Sequence, residues 1–510
     1  MRFVAFLCAC VAAVPSVNLT LNDRVVVVGG GPAGVHYAAL LVKKGLTNIH
    51  LLEATDRVGG KSTTAMDDKN TPQEMGTVFA LDTYGAIFDL VSEYDPNNAI
   101  FNFAFEQPGY MNVMGESIGA KDDDATAALD FPHYLLRTVQ QNAPAALQPR
   151  ATFAQLRALI LDQTTRYMAL HRRIFGNYSY GMPPPPTDWA LIDMTAMDFL
   201  KANNLTALTG MFRFSQQQQG YGVLETIPAF YFLWWSHPDA VTKILQAQVA
   251  GLPSAYQFTK GFQSLWKAIS YTYRQDVTTI FGARVTRVSR GLNSRGQSVA
   301  KPTVTYTNLD GASVTIECDH VVMAVDLSLF ANLVVDLTLA EKALFLGSYT
   351  SSTFVTTLFD SLPSPAETAA QIWQYRMTQG GRLSALRNSK LTLEYKGSTN
   401  WGDMTTGRQT RVAYQYYDQP LASVKRDQAG PLLRVDLAKA GMNDAALWTQ
   451  RFFNYFPRFT ADGLKKGLLW KIWDNQGKQR TTWIGSSVCF ESAVDVVTYN
   501  NNLIKYVTVK

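Results

Sequence analysis

The hydrophobic pattern along the chain first becomes regular over residues 24–53. Four consecutive valines, Val25–Val28, are typical of a strand that is buried on both faces. A glycine cluster follows, then apolar positions at helical spacing over 35–45 (VHYAALLVKKG), and then a second apolar strand over 49–53 (IHLLE). This order predicts a βαβ unit in which a glycine turn joins the first strand to the helix.

The remaining pattern alternates between helical and β-type segments. Helical spacing is predicted over about 130–210, interrupted by four prolines at 183–186, and over the aromatic-rich stretch 227–245. Residues 278–326 are predicted to be β structure with a turn at Leu309–Gly311. Strands and helices mix over 330–470, and the tail 491–507 is predicted to be a final helix.

Length and composition bound the class of protein. The chain has 510 residues and 47% hydrophobic residues, which favours two intertwined domains over one compact unit. The charged fraction of 17% argues against a disordered chain and against a membrane protein with several spans. The net charge is only +5 and the basic residues are dispersed, so we expect no nucleic-acid partner.

The N-terminus has the order of residues found in a secretory signal peptide. Arg2 precedes an apolar run over 3–14, and Pro15 and Ser16 follow, which predicts a signal over 1–16 with cleavage near Ser16. The alternatives are a buried first strand and a short anchor. Because the run is too short to span a bilayer, we expect no transmembrane segment in the mature chain. Localisation is then predicted to be the secretory pathway or the extracellular space, with glycosylation at three sequons, Asn18, Asn177 and Asn204.

The cysteines leave little room for thiol or metal chemistry. Cys8 and Cys10 would leave with the signal, so the mature chain would keep only Cys318 and Cys489. These two either pair or stay as buried thiols, and the apolar sequence around them favours thiols. The six histidines show no metal-ligand spacing, so we expect no metal site.

The glycine cluster fits the binding of a dinucleotide phosphate. Gly29, Gly31 and Gly34 form G-x-G-x-x-G, in which the first glycine makes the turn, the second admits a pyrophosphate and the third lets helix and strand pack. Pro32 and Ala33 complete the turn, and the first amides of the helix would face the phosphates. A glycine turn alone is a weak signal, but its context strengthens it.

The carboxylate that ends the second strand supplies this context. Glu53 lies 19 residues after Gly34, where it can accept hydrogen bonds from ribose hydroxyls. An adenosine diphosphate moiety is therefore expected in this unit.

The residues after Glu53 carry a resemblance to a known family. EATDRVGG, residues 53–60, followed by a basic residue, is similar to the second signature of the FAD-dependent amine oxidase superfamily. The resemblance implies FAD as cofactor and an α/β fold, with a Rossmann-type FAD-binding domain of the amine oxidase (GR2) type interleaved with a mixed α+β substrate domain. It assigns the following further residues to the cofactor: Ala54, Arg57, Gly59, Gly60 and Lys61.

Other segments extend this resemblance. Gly76 and Thr77 are at the position where the family's chain passes the flavin ring, and Val285 is in the strand whose backbone meets the adenine. The C-terminus departs from the common pattern, because Gly485 and Ser486 replace the Gly-Glu of many amine oxidases. This departure puts amine oxidation in doubt. Glu491 and Ser492 open the last helix, whose N-terminal dipole would favour a reduced, anionic flavin.

The resemblance also divides the chain. The FAD-binding domain is expected in three parts, 23–100, 256–330 and 466–510. Residues 101–255 are expected to form a helical, substrate-binding region, and 331–465 the sheet and helices of the substrate domain.

The tail, together with 218–235 and 258–266, resembles a narrower branch, the flavin-dependent polyenoic (polyunsaturated) fatty acid isomerases of red algae. This resemblance implies a polyunsaturated fatty acid as substrate and a conjugated polyene as product. It also implies hydride transfer to flavin N5 and back to another carbon, with no catalytic side chain assigned. Two alternatives stay open: an FAD-dependent amine or amino-acid oxidase that releases hydrogen peroxide, and a non-catalytic lipid-binding escort protein.

Substrate contacts are expected from the aromatic stretch. Tyr221, Phe230 and Trp234 are candidates for a channel wall, although aromatic residues equally often fill a core. One or more arginine or tyrosine side chains are expected to anchor the carboxylate, and the candidates are arginines. The sequence does not choose among the following candidates: Arg166, Arg172, Arg173 and Arg213.

Overall fold

A computed structural model describes residues 15–67, 69–103, 109–115, 128–148, 150–178, 181–250, 252–364, 367–395, 397 and 407–510. Residues 1–14, which make up most of the predicted signal peptide, lie outside the described residues.

Strands and helices alternate along these ranges. The strands are β1 (Val17–Leu19), β2 (Val25–Val28), β3 (Ile49–Leu52), β4 (Thr64–Met66), β5 (Pro72–Glu74), β6 (Ala80–Leu81), β7 (Ile100–Asn102), β8 (Met111–Val113), β9 (Leu129–Asp130), β10 (Ala255–Phe258), β11 (Val277–Ile280), β12 (Arg284–Ser289), β13 (Thr303–Thr307), β14 (Ser313–Glu317), β15 (His320–Met323), β16 (Tyr349–Ser361), β17 (Ala370–Ile372), β18 (Leu383–Arg387), β19 (Gln409–Tyr417), β20 (Ala446–Phe459), β21 (Thr481–Trp483) and β22 (Val507–Val509). The helices are α1 (Pro32–Lys43), α2 (Gly85–Tyr94), α3 (Phe131–Asn142), α4 (Phe153–Phe175), α5 (Ala196–Ala202), α6 (Thr209–Gln217), α7 (Ala229–Trp235), α8 (Pro238–Ala250), α9 (Phe262–Thr272), α10 (Phe330–Leu333), α11 (Leu339–Phe345), α12 (Lys390–Tyr395), α13 (Arg426–Lys439), α14 (Ala461–Lys465), α15 (Leu468–Asp474) and α16 (Ala493–Leu503).

A five-stranded sheet in the order β11-β3-β2-β15-β21 forms the first unit, and all its neighbouring strands are parallel. The βαβ opening predicted from the pattern is confirmed as β2, α1 and β3. The four valines of β2 are at most 2% exposed, as expected for a parallel strand covered on both faces. The sheet draws its strands from three separate sections of the chain, 25–52, 277–323 and 481–483.

The carboxyl ends of β2, β3, β15 and β21 lie side by side because these strands are parallel and in register. The residues that follow them, the glycine turn, Glu53, Ala324 and Gly485, therefore meet at one edge of the sheet. In doubly wound folds this edge is where ligands bind.

The second unit is a seven-stranded sheet in the order β20-β16-β19-β18-β17-β8-β9. It is antiparallel except for the parallel pair β17 and β8, so the sheet is mixed. Helices α3 to α8 precede most of its strands in the chain. The predicted α/β fold with a Rossmann-type domain and a mixed α+β substrate domain is confirmed.

The predicted β region over 278–326 contains β11 to β15, and β13 and β14 form a hairpin around the predicted turn. The predicted final helix is too long. Helix α16 ends at Leu503, and the last residues form β22, which pairs in parallel with β1 near the start of the described chain. A local pattern does not reveal such a partner. Among the described helices, none has both the length and the apolar character needed to cross a bilayer.

Candidate active site

A cleft of about 1040 Å³, part of it open to solvent, lies at the carboxyl edge of the parallel sheet. We call it the dinucleotide cleft. Eleven of the residues predicted to bind a cofactor line it: Gly29, Gly31, Pro32, Ala33, Glu53, Gly60, Lys61, Thr77, Gly485, Ser486 and Glu491. Residues from distant parts of the sequence therefore meet in one place.

The glycine turn has the shape that a pyrophosphate requires. A side chain at Gly29, whose φ is +109°, would place its Cβ 2.7 Å from the carbonyl oxygen of Ala324. A Cβ at Gly34 would come within 2.0 Å of the carbonyl oxygen of Gly29, so helix α1 packs directly against the turn. At Gly31 the only heavy atom near an added Cβ is Gly60 Cα at 3.8 Å. This open space beside the N-terminus of α1 fits a diphosphate.

Glu53 is fixed at the end of β3 by local hydrogen bonds. Its Oε2 accepts a hydrogen bond from the Gly30 amide at 2.8 Å. Its Oε1 accepts from the amide and the hydroxyl of Thr55 at 2.8 and 2.7 Å. The carboxylate still has acceptor sites that face the cleft, which suits a ribose.

An ion pair lies at the inner end of the dinucleotide cleft. Lys61 Nζ is 2.8 Å from Glu491 Oε2, and that oxygen also accepts the Phe456 amide at 2.9 Å. Burial raises the pKa of Glu491, and the Lys61 charge opposes this rise. Phe456 has a φ of +47° inside strand β20, a strained conformation for a residue with a side chain. The cleft therefore ends at a neutralised pair.

A second cavity of about 870 Å³, part of it open to solvent, adjoins the cleft, and we call it the central cavity. The two share the lining residues Thr77, Tyr455, Glu491 and Ala493. Gly76 and Tyr221 also line it. A Cβ at Gly76 would fall 1.6 Å from the Lys61 carbonyl oxygen, so only glycine lets these two loops pass each other here.

A third cavity of about 860 Å³, part of it open to solvent, adjoins the central cavity, and we call it the apolar cavity. The two share Phe79, Phe103, Gln218 and Gln219. Most of the other side chains in its wall are hydrocarbon or aromatic, including Leu135, Met211, Phe212, Phe214, Trp235 and Ile244. The three cavities thus form a series from the glycine turn to an apolar chamber.

The polar side chains of the central cavity are few and buried. Arg387, at the end of β18, is 8% exposed, and its guanidinium lies near the Tyr414 hydroxyl, which donates a hydrogen bond to the Glu74 carbonyl oxygen at 2.8 Å. Glu74 is close to this pair, and burial raises its pKa to about 7. Its carboxylate accepts hydrogen bonds from the Thr64 hydroxyl at 2.7 Å and the Phe262 amide at 2.8 Å.

Several residues predicted to bind the cofactor support the cleft without lining it. Arg57 donates to the Thr63 hydroxyl at 3.1 Å, and the Gly59 amide donates to the Gly30 carbonyl at 2.9 Å. Ser492 caps helix α16. Val285 pairs with Tyr306 in a three-stranded sheet, away from the cleft wall. The predicted cofactor residues that line neither the cleft nor the central cavity are Gly34, Ala54, Arg57, Gly59, Val285 and Ser492.

Two of the three predicted channel residues belong to the core instead. Phe230 packs against Phe175 and Trp470, and the Trp234 indole donates to Asp495 at 3.2 Å. Their spacing places both on one face of α7, whereas the neighbouring face carries Trp235 into the apolar cavity. The aromatic pattern indicated the right helix and the wrong face.

None of the sequence-derived anchor candidates lines the three cavities. Arg166, Arg172 and Arg173 are exposed, and Arg213 pairs with Glu225. Arg387 could not be predicted from the sequence, because an arginine at the end of a strand carries no distinguishing pattern. Tyr455, which lines both the cleft and the central cavity, could not be predicted either.

Cys318 and Cys489 are free and buried, which confirms the thiol interpretation. In the described ranges no group of three or more His, Cys, Asp or Glu side chains is arranged to hold a metal ion.

Comparisons with known proteins give a family and a fold. The model of the family described as flavin containing amine oxidoreductase matches residues 32–418. The polyenoic fatty acid isomerase of Ptilota filicina is 21% identical over 512 residues, which cover 95% of each chain. A solved structure of the CLA-producing fatty acid isomerase from P. acnes has a TM-score of 0.69 at 17% identity, covering 96% of this chain and 99% of that one. Putrescine oxidase bound to putrescine has a TM-score of 0.61 at 13% identity, covering 96% and 99%.

Proposed function

The chain belongs to the flavin containing amine oxidoreductase family and uses FAD, and from this premise we propose that it isomerises polyunsaturated fatty acids to conjugated polyenes. The similarity to two proteins named as fatty acid isomerases supports the proposal. The observation that carries it is the apolar cavity, which adjoins the central cavity beside the end of the dinucleotide cleft.

The chain's own residues account for the holding of FAD. The open turn at Gly31 and the N-terminus of α1 would receive the diphosphate, and Glu53 would receive the adenosine ribose. Thr77, Tyr455 and the Lys61–Glu491 pair would then face the flavin end. When bound, FAD supplies a ring nitrogen, N5, that accepts a hydride from a bis-allylic carbon and returns it to the same molecule.

The charges of the central cavity favour an anionic lipid over an amine. Glu491 is neutralised by Lys61 at 2.8 Å, whereas Arg387 has no carboxylate within ion-pair distance among the described residues. A protonated amine in this cavity would meet an uncompensated cation, which costs free energy in a desolvated site. A hydrocarbon chain that ends in a carboxylate matches both the positive charge of Arg387 and the apolar walls of the cavities.

An oxidase of amines is the alternative that the fold itself suggests, because putrescine oxidase shares it. Among the described residues that line the three cavities, Lys61 is the only lysine, and its ammonium is held by Glu491. A substrate amine would also lack an unpaired carboxylate among the described residues of the central cavity wall. We therefore place oxidation second.

An anaerobic assay tests the proposed function. The purified yellow holoprotein is mixed with arachidonic acid under nitrogen, with flavin-stripped protein as the control. We expect a conjugated-polyene band to rise in the ultraviolet without oxygen. Turnover that needs oxygen and releases hydrogen peroxide would establish the oxidase instead, and binding without any change of the lipid would indicate an escort protein.

We also propose that the protein enters the secretory pathway. The three sequon asparagines, Asn18, Asn177 and Asn204, are all exposed, so each is accessible to a glycosyltransferase. Digestion of the secreted protein with an endoglycosidase should lower its mass. A mass equal to that of the bare polypeptide would contradict glycosylation.

A further inference from the structure

Arg387 differs from the other buried arginines of the described chain. The buried arginines are Arg290, Arg376, Arg387, Arg411 and Arg458. Four of them have a carboxylate partner: Asp336 and Glu341, Asp436, Glu367 and Asp418, respectively. For Arg387 no carboxylate of the described residues lies within ion-pair distance, and its Nε has no hydrogen-bond partner.

The neighbours of Arg387 do not supply the missing charge. The Tyr414 hydroxyl lies near the guanidinium, but burial raises the pKa of this hydroxyl, and it donates its hydrogen to the Glu74 carbonyl oxygen at 2.8 Å. Glu74 is the nearby acid, and the Arg387 charge opposes the rise of its pKa to about 7, but its carboxylate lies beyond ion-pair distance and accepts hydrogen bonds from Thr64 and Phe262. A buried guanidinium without a counter-ion is costly, so this one is suited to an anion that arrives with a ligand.

The position of Arg387 defines where such an anion would lie. Its side chain lines the central cavity, together with Tyr414 and Ser384, and it does not line the apolar cavity. The wall from Arg387 to the apolar cavity is mostly apolar. Phe79, Phe103 and the amide side chains of Gln218 and Gln219 lie where the two cavities meet. A ligand that joins an anionic head to a long hydrocarbon tail fits this order.

We propose that Arg387 binds the carboxylate of the fatty acid, with the head in the central cavity and the hydrocarbon tail in the apolar cavity. The proposal rests on the proposed function for the identity of the lipid. Guanidinium and carboxylate can form two parallel hydrogen bonds, which fix the orientation of the head as well as its position. The fatty acid would then lie with its methyl end towards Trp235 and its carboxylate beside β18.

A fixed head makes Arg387 a residue that determines specificity. Free acids should bind more tightly than neutral lipids with the same chain. The carbon that reacts should be set by its distance from the carboxyl carbon, because the head is the anchored end. Shortening the chain at the methyl end should therefore leave the position of the new conjugated bonds unchanged.

The test compares arachidonic acid with arachidonyl alcohol on wild-type, Arg387→Gln and Arg387→Lys holoproteins. For Arg387→Gln we expect the KM for the acid to rise about 10- to 100-fold, the range for one charged hydrogen-bonded contact, and the KM for the alcohol to stay within about 2-fold. For Arg387→Lys we expect a KM for the acid between those of the wild type and Arg387→Gln, because lysine keeps the charge but cannot form the two parallel hydrogen bonds of a guanidinium. Arg434→Gln, an exposed arginine on α13, is the matched control and should leave both values unchanged.

Binding is measured separately from turnover, by titrating flavin absorbance with each lipid under nitrogen. If the wild type discriminates acid from alcohol through Arg387 but makes no conjugated product, the anchor stands and the proposed function fails. If product forms and Arg387→Gln keeps the wild-type ratio of acid to alcohol, the anchor is wrong and the function stands. Should the variants not hold flavin, equal affinity of the wild type for acid and alcohol overturns the anchor by itself.

Discussion

Glu53 is the single residue on which retention of the cofactor should depend most. Its carboxylate holds Gly30 and Thr55 through hydrogen bonds of 2.7–2.8 Å and faces the cleft. In Glu53→Ala we expect the affinity for FAD to fall about 10- to 100-fold, because a charged acceptor is lost. The flavin absorbance per mole of protein after gel filtration measures how much FAD each variant retains. Glu93→Ala, which removes an exposed partner of Lys43, is the control, and equal flavin content in both variants would contradict the role of Glu53.

Glu74 should make stability depend on pH. Burial raises its pKa in the folded protein from 4.5 to about 7, so the protonated form is favoured by folding. Its stabilising contribution is complete below about pH 4.5, declines as the pH rises, and is lost above about pH 7. Glu74→Gln should therefore be more stable than the wild type at pH 8, by at most roughly 3 kcal/mol, and similar to it at pH 4.5. Thermal unfolding of both proteins at pH 4.5 and pH 8 measures this effect. A difference in stability that is the same at the two pH values would contradict it.

For individual residues, many positions in the site could be predicted from the sequence, but their partners could not. The glycine turn and Glu53 belong to a local motif, so their place could be predicted. The Lys61–Glu491 pair joins positions that are 430 residues apart, and no local pattern contains that information. Arg387 is recognisable only by what it lacks, a carboxylate partner, and this requires coordinates.

Among the elements, β2, α1 and β3 could be predicted because each carries its own period of apolar residues. Helix α7 shows where this fails, since every one of its residues is buried and the pattern has no polar side to orient it. Phe230 and Trp234 therefore could not be separated from Trp235 without the structure. The predicted end of α16 lies beyond its observed end at Leu503. The last residues form β22, which pairs with β1 at the other end of the described chain, and a local pattern does not show that partner.

The two faces of α7 should differ in their effect on substrate choice. Trp235 lines the apolar cavity, so Trp235→Ala should enlarge it and shift the ratio of kcat/KM values towards longer or bulkier acids. Phe230 packs in the core, so Phe230→Ala should cost about 3 to 5 kcal/mol of stability and leave that ratio unchanged. Competition between two acids of different length measures the ratio. A shift in Phe230→Ala and none in Trp235→Ala would reverse the assignment.

For the whole molecule, the site depends on contacts between distant sections of the chain. Strand β15 pairs with β2 and β21, and these pairings bring Ala324 and Gly485 to the glycine turn. The apolar and central cavities combine side chains from α6, α7 and the seven-stranded sheet. The family resemblance predicted this interleaved fold. Strand order and cavity shape follow from pairings that a single sequence does not display.

The most direct test of the account follows the hydrogen that moves. Arachidonic acid deuterated at its bis-allylic carbons is incubated with the holoprotein under nitrogen, and the product is analysed by mass spectrometry and NMR. We expect a conjugated product that keeps every deuterium, with one of them on a new carbon, because the hydride returns to the molecule that gave it. A product that has exchanged deuterium with solvent, or one that forms only with oxygen and hydrogen peroxide, would contradict an internal hydride shift.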